Sequence, residues 1–147
     1  MNTAIPSRPL LIAALLGLAA GPLVAPAARS AAAPAGAVEQ LLEQYRAAGA
    51  GEFSAERGAT AWRREVAADD GGEPRHCGGC HGADLAAPGS HLRTGKMIEP
   101  LAPSANPARL GEVRQIEKWL LRNCKWTWGR ECTAREKGDF LQFLRTQ

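Results

Sequence analysis

Five consecutive residues, Cys77-Gly78-Gly79-Cys80-His81, constrain this chain more than any other feature. Two thiols three positions apart can add across the two vinyl groups of one porphyrin, and the adjacent imidazole is then placed to bind the iron from one face. C-x-x-C-H therefore reads as a site of covalent c-type haem attachment, with Cys77 and Cys80 as the anchoring thiols and His81 as an axial ligand. A thioredoxin-like redox pair should open a helix after a strand, and no strand pattern precedes Cys77. A zinc site usually pairs two separated clusters, whereas His76, Cys77, Cys80 and His81 are crowded into six residues.

The N-terminus agrees with that chemistry. Arg8 precedes an apolar run from Leu10 to Ala20, followed by a zone rich in Ala and Pro. The pattern is that of a secretory signal peptide, with an apolar stretch too short to span a bilayer. A-x-A-like cleavage positions follow Ala27, Ala35 and Ala37, so the chain divides into a signal peptide over 1–35 and a haem-binding domain over 36–147. An uncleaved membrane anchor is the alternative. Export to the periplasm suits haem attachment, because the thiols must be handled in an oxidising compartment. From Val38 onward, 16 Lys and Arg stand against 15 Asp and Glu. Two haem propionates take that balance to about −1, so the basic precursor gives no reason to expect a nucleic-acid partner or, once processed, a membrane. One small domain has a marginal core, and a buried porphyrin, its iron bond and a disulfide would each strengthen it.

Periodicity predicts an all-α fold. Val38, Leu41, Leu42 and Tyr45 recur at helical spacing, giving a helix that ends near Gly49. Ser54 is a good N-cap for a second helix running through Trp62 and Val66. Asp69 to Pro74 reads as a turn-rich linker, and Pro88 to Pro107 as an extended, proline-rich loop. Asn106-Pro107 starts a third helix with Leu110, Val113, Ile116 and Leu120 on its apolar face. Thr133-x-x-Glu136 is a capping box that opens a last helix carrying Phe140, Leu141 and Leu144. Nothing suggests a sheet.

Function turns on the second axial position. Met97, in Thr94-Gly95-Lys96-Met97-Ile98, is the one Met beyond the signal region, and its soft thioether would make a low-spin electron shuttle. It follows His81 by only 16 residues, which is short for a chain that must pass round the porphyrin edge, so an apolar filler is the other reading. His91 lies closer still, and His76 should point away from the distal face; both read as surface or propionate-contacting histidines. Asn123 lies 42 residues after His81, a separation suited to the chain returning over the distal face. Its bland reading is a helix C-cap. Cys124 and Cys132 have no C-x-x-C partner, so in an exported protein they pair as a disulfide, with free thiols or a reactive pair as alternatives. Trp126 and Trp128 alternate across a short extended segment, one of them walling the distal pocket, while Trp119 covers the haem or fills the core. Arg93, Lys96 and Arg122 are candidates to neutralise propionates.

Gly58 and Trp62 on an early helix, with Phe140 on the last, resemble the helix-crossing pair of class I cytochromes c. The gap from Trp62 to Cys77 is wider than in most of that class. A more specific resemblance runs through Cys77 to Asp84, Thr94-Gly95-Lys96, Pro100-Leu101-Ala102-Pro103-Ser104, Glu117-Lys118-Trp119-Leu120, Arg122-Asn123-Cys124 and Gly129-Arg130-Glu131-Cys132-Thr133. These segments are similar to the Sphaeroides haem protein family, SHP, of high-spin class I cytochromes c. The resemblance implies one covalent haem c, Asn123 as the distal ligand, and a disulfide between Cys124 and Cys132 beside it. It also implies a dihaem cytochrome c as electron donor and oxygen or nitric oxide as the diatomic partner. A neutral amide is a hard, weak donor that can hold ferric iron loosely and leave on reduction. No catalytic residue is assigned. The rivals are a His81/Met97 electron shuttle and a gas-sensing or storage module.

Overall fold

The computed structural model describes residues 1, 36–68 and 71–147. The expected signal peptide, apart from Met1, lies outside the described residues. The unit from Ala32 onward runs α1 (Ala37–Ala47), α2 (Ala55–Arg63), α3 (Cys77–His81), β1 (Gly89–Ser90), β2 (Met97–Ile98), α4 (Val113–Trp128) and α5 (Ala134–Leu144).

The densest packing is where α2 crosses α5. Gly58 faces the backbone of Asp139 so closely that an added Cβ would sit 2.1 Å from the Asp139 carbonyl oxygen. Only a residue without a side chain permits that approach. Around it the Arg57 guanidinium donates to both Asp139 carboxylate oxygens at 2.8 Å, and the Ser54 amide donates to Oδ1 at 2.6 Å. Trp62 meets Phe140 edge-on at 6.2 Å. The Ser54 hydroxyl accepts from the Arg57 amide, and Thr133 with Glu136 completes the expected capping box.

A second cluster joins α1 to α4 and α5 through Leu41, Leu42, Tyr45, Ile116 and Leu141. Leu41 and Leu141 are fully buried, each contributing roughly 2–3 kcal/mol of apolar transfer. Tyr45 donates its hydroxyl to Glu117, which also accepts from Lys137 Nζ at 2.7 Å. Burial and the neighbouring carboxylate push the Tyr45 phenol well above its ordinary range, so it stays a donor.

Four sequence expectations are corrected here. The second helix stops at Arg63, and Val66 instead forms an isolated antiparallel bridge with Arg75, bonded in both directions at 2.9 and 2.8 Å. The third helix begins at Val113 rather than Asn106, because Leu110 turns left-handed (φ 58) and breaks the chain direction just before it. The proline-rich loop contains a two-residue antiparallel pair, Gly89 with Ile98 and Ser90 with Met97, closed by a turn at Gly95 (φ 65). Finally, Asn123 to Trp128 are helical, not an extended segment. The left-handed cap of α4 is Gly129 (φ 68), so Asn123 is not the C-cap.

Candidate haem site

The short helix α3 carries the attachment motif, and its surroundings explain the two glycines between the cysteines. His76 folds over them: a Cβ at Gly78 would lie 3.1 Å from His76 Nδ1, and one at Gly79 would lie 3.6 Å from Nε2. Gly82, with φ 74, ends the helix. The hairpin presses on the same turn, since a Cβ at Gly89 would fall 2.2 Å from the Cys80 carbonyl oxygen. Cys77 and Cys80 are free, half-buried thiols. Burial pushes the Cys77 thiol up to about 12, against a smaller opposing pull from Arg64. Burial, helped by the Arg109 charge, pushes the His81 imidazole below its ordinary value. A neutral imidazole keeps a nitrogen lone pair for a metal. Trp62 backs this ring at 5.4 Å.

Facing α3 is α4, and between them lies a cavity of about 1320 Å³. Ile116, Trp119, Leu120, Asn123 and Thr127 share one face of α4 at helical spacing, and all line the cavity. The Asn123 amide has no hydrogen-bond partner among the described residues, which leaves its carbonyl oxygen available. One residue on, Cys124 is joined to Cys132, with Cα atoms 5.6 Å apart and both residues buried. The bridge ties the last turn of α4 to the start of α5.

Cys77, Cys80, His81 and Asn123 all line the same cavity. Met97 reaches it only from the edge, on β2, and is 67% exposed. His91 also lines it, but its Nδ1 accepts from the Thr94 amide at 3.3 Å, and its ring lies 6.2 Å from Trp126. Lys96 and Arg122 are at the lining; Arg93 is not. Sequence reasoning missed Arg109 and Arg75. Arg109 was assigned to a helix, yet it sits in a turn at the cavity, donating to the Pro100 carbonyl at 2.9 Å. Arg75 does not line the cavity but packs over the ring of Trp126, which does, at 4.9 Å. Neither position had a signal beyond its charge.

The residues present fit a haem. The cavity takes a large flat group, with a thiol pair and an imidazole on one wall and an unpaired amide on the other. Trp62 and Trp128, both at the lining, keep buried indole N–H groups with no partner. Such orphan donors are costly, and a bound group carrying acceptors would relieve them. Among the described residues no cluster of three or more His, Cys, Asp or Glu converges on a metal-sized site. Nor is any described helix long and apolar enough to cross a membrane.

Comparison with known proteins agrees with this geometry. Cytochrome c-type protein SHP of Cereibacter sphaeroides is 44% identical over 110 residues, covering 74% of this chain and 82% of that protein. The chain belongs to the SHP family of c-type cytochromes. Residues 48–144 also match a family model described as a domain of unknown function, DUF1924. The structure of oxidised SHP, titled an oxygen-binding cytochrome c, aligns with a TM-score of 0.67 at 41% identity, covering 75% of this chain and 96% of that one. Oxidised cytochrome c″ of Methylophilus methylotrophus aligns equally well, with a TM-score of 0.67 at 28% identity and coverage of 76% and 94%. Like other cytochromes c, this SHP-type chain carries covalently bound haem c, and its helices wrap that group in the class I arrangement.

Proposed function

We propose that this SHP-type cytochrome is a periplasmic electron acceptor that exposes a distal haem position to oxygen or nitric oxide after reduction. The haem supplies a reducible iron and the coordination position at which a diatomic can bind. Cys77 and Cys80 would hold it as thioethers, and His81 would give a nitrogen to the iron. Asn123 would offer its amide oxygen, a hard and weak donor that would bind reduced iron less well than ferric iron. The Cys124–Cys132 bridge limits how far that part of α4 can move, so it would keep the Asn123 amide close to a bound haem. Trp119 and Trp126 shield the distal side from water. A partner cytochrome, of the dihaem kind that the family resemblance implies, supplies the electron.

The observation that carries this reading is that Asn123, with no side-chain hydrogen-bond partner among the described residues, lines the same cavity as Cys77, Cys80 and His81 from the face of α4. Two solved relatives lend support. Oxidised SHP is described as an oxygen-binding cytochrome c, and a solution structure of cytochrome c″ addresses haem-ligand detachment.

Optical spectra of the oxidised and reduced protein, with and without carbon monoxide, test the proposal. The expected result is a high-spin ferric spectrum without a Met–iron band, and immediate carbon monoxide binding on reduction. Asn123→His should convert the ferric protein to low spin, and Met97→Ala should leave it unchanged. A low-spin spectrum with a Met–iron band that Met97→Ala abolishes would make the protein a His81/Met97 shuttle.

A further inference from the structure

Helix α4 carries Arg114, Lys118, Arg122 and Lys125, spaced by four, four and three residues. That spacing gathers four cations into about 80° of the helix circumference. Like charges at i, i+4 repel, so the ridge costs the helix stability. The one acid on α4, Glu117, is taken by Tyr45 and Lys137. Arg114 and Lys125 each meet a carboxylate near the helix ends, Glu112 at 3.6 Å and Glu131 at 3.0 Å. Lys118 and Arg122, in the middle, have no ion-pair partner among the described residues. Both lie instead against the Trp119 ring, at 5.6 and 5.2 Å. Trp119 is 46% exposed and also lines the haem cavity, so a single indole reaches from the cation ridge to the haem pocket.

The chain beyond its leader is close to neutral, so the ridge is a local concentration of charge and not general basicity. A patch of one sign that is uncompensated within its own fold is complementary to a surface of the other sign, and such pairing raises association rates. We propose that the ridge is the docking face for an acidic electron-carrying protein, with Trp119 as the point of electron entry. This rests on the reading of the chain as an electron acceptor. One electron passes from the partner's reduced cofactor, which is oxidised, to the ferric iron, which is reduced; no proton or group moves. An anionic membrane is less well matched, because the apolar surface beside the ridge is confined to half-exposed Trp119 and Leu121.

The test uses the haem-loaded protein with flavodoxin, an acidic redox protein, as probe. Calorimetric titration with oxidised flavodoxin at low ionic strength reads docking without turnover, and reduction by flavodoxin semiquinone reads transfer. Arg114→Glu/Lys118→Glu, which alters two cations of the ridge that do not line the haem cavity, should weaken binding and slow second-order reduction by about tenfold or more, and flatten the salt dependence. Reduction by free, uncharged flavin and carbon monoxide binding should not change. The same charge reversal at Arg46 and Arg145, which border a separate groove, should have little effect. Trp119→Ala should preserve binding but slow transfer at saturating flavodoxin. The proposal is overturned if wild-type protein shows no salt-dependent binding, or if the Arg46/Arg145 variant matches the ridge variant. It is also overturned if the ridge governs binding to phosphatidylglycerol vesicles but not to flavodoxin. An unchanged saturating rate in Trp119→Ala would place electron entry elsewhere. Loss of carbon monoxide binding in the wild type would instead count against the gas-binding reading and leave docking standing.

Discussion

The α2–α5 crossing and the wall that α4 presents to α3 solve opposite problems. At the crossing, protein packs on protein: Gly58 lies against the Asp139 backbone, and a buried carboxylate takes three donor contacts. At the α4 wall the protein leaves room, with an unpaired amide, the orphan indole donor of Trp128 and an open volume. The first region is complete without a ligand, and the second is finished by its prosthetic group. Stability and reactivity are thereby assigned to different faces of the same small core.

Removing the covalent anchors should break this contrast most visibly. Cys77→Ser/Cys80→Ser should lose all haem that survives denaturing electrophoresis. Amide exchange should then show protection lost across α4 before α2 and α5. Equal loss in all three helices would mean that the crossing depends on haem as much as the wall does.

Gly58→Ala strikes the other region. Its Cβ cannot coexist with a carbonyl 2.1 Å away, so the helices must part, at a cost of about 3 kcal/mol or more. A thermal melt of the haem-loaded protein measures this, and an unchanged melting temperature would contradict the close approach. Asn123→Ala should do the reverse. Stability should move by no more than about 1 kcal/mol, since the side chain has no protein hydrogen bond to lose and would give the iron only a weak donor, while ferric ligand-binding rates rise in stopped-flow mixing. A large stability loss there would show that the wall is packed after all.

The smallest effect concerns the capping box. The Arg130 guanidinium, the Thr133 hydrogen bonds and a smaller opposing burial effect together hold the Glu136 carboxyl down at about 2. A depressed folded value means the stabilisation is fully present above the ordinary carboxylate range and is lost as pH falls from about 4.5 toward 2. Because the group is partly solvated, the contribution is no more than about 1 kcal/mol. The melting temperatures of wild type and Glu136→Gln should converge across that window, and parallel curves would refute the assignment.

Much of the crossing could be read from sequence, because glycine, aromatic and capping residues follow local rules. Gly58, Trp62 and Phe140 meet as expected, and Thr133-x-x-Glu136 forms its box. The attachment motif was legible for the same reason: its chemistry is written in adjacent residues. The helix boundaries around α4 were not. Asn106-Pro107 is a good local start signal, but Leu110 in a left-handed conformation overrides it, and no residue type announces that. The helical state of Trp126 and Trp128 was hidden because the cap that matters is Gly129. The role of Asn123 came from likeness to a family, while its geometry depends on helical phase that only the fold supplies.

The contacts that close the molecule span long stretches of chain. Arg57 and Asp139 are 82 residues apart, and Glu39 and Arg145 are 106 apart, bonded at 3.2 Å. Contacts of such high order form late, since the intervening loop must first be closed. During synthesis the attachment cysteines therefore emerge well before their enclosing helix exists, and they remain reachable until α5 is complete. In the fold without its haem the Cys77 thiol is half-buried, and burial pushes its pKa up. Order along the chain thus leaves both thiols open to modification until the helices that close the pocket have been made.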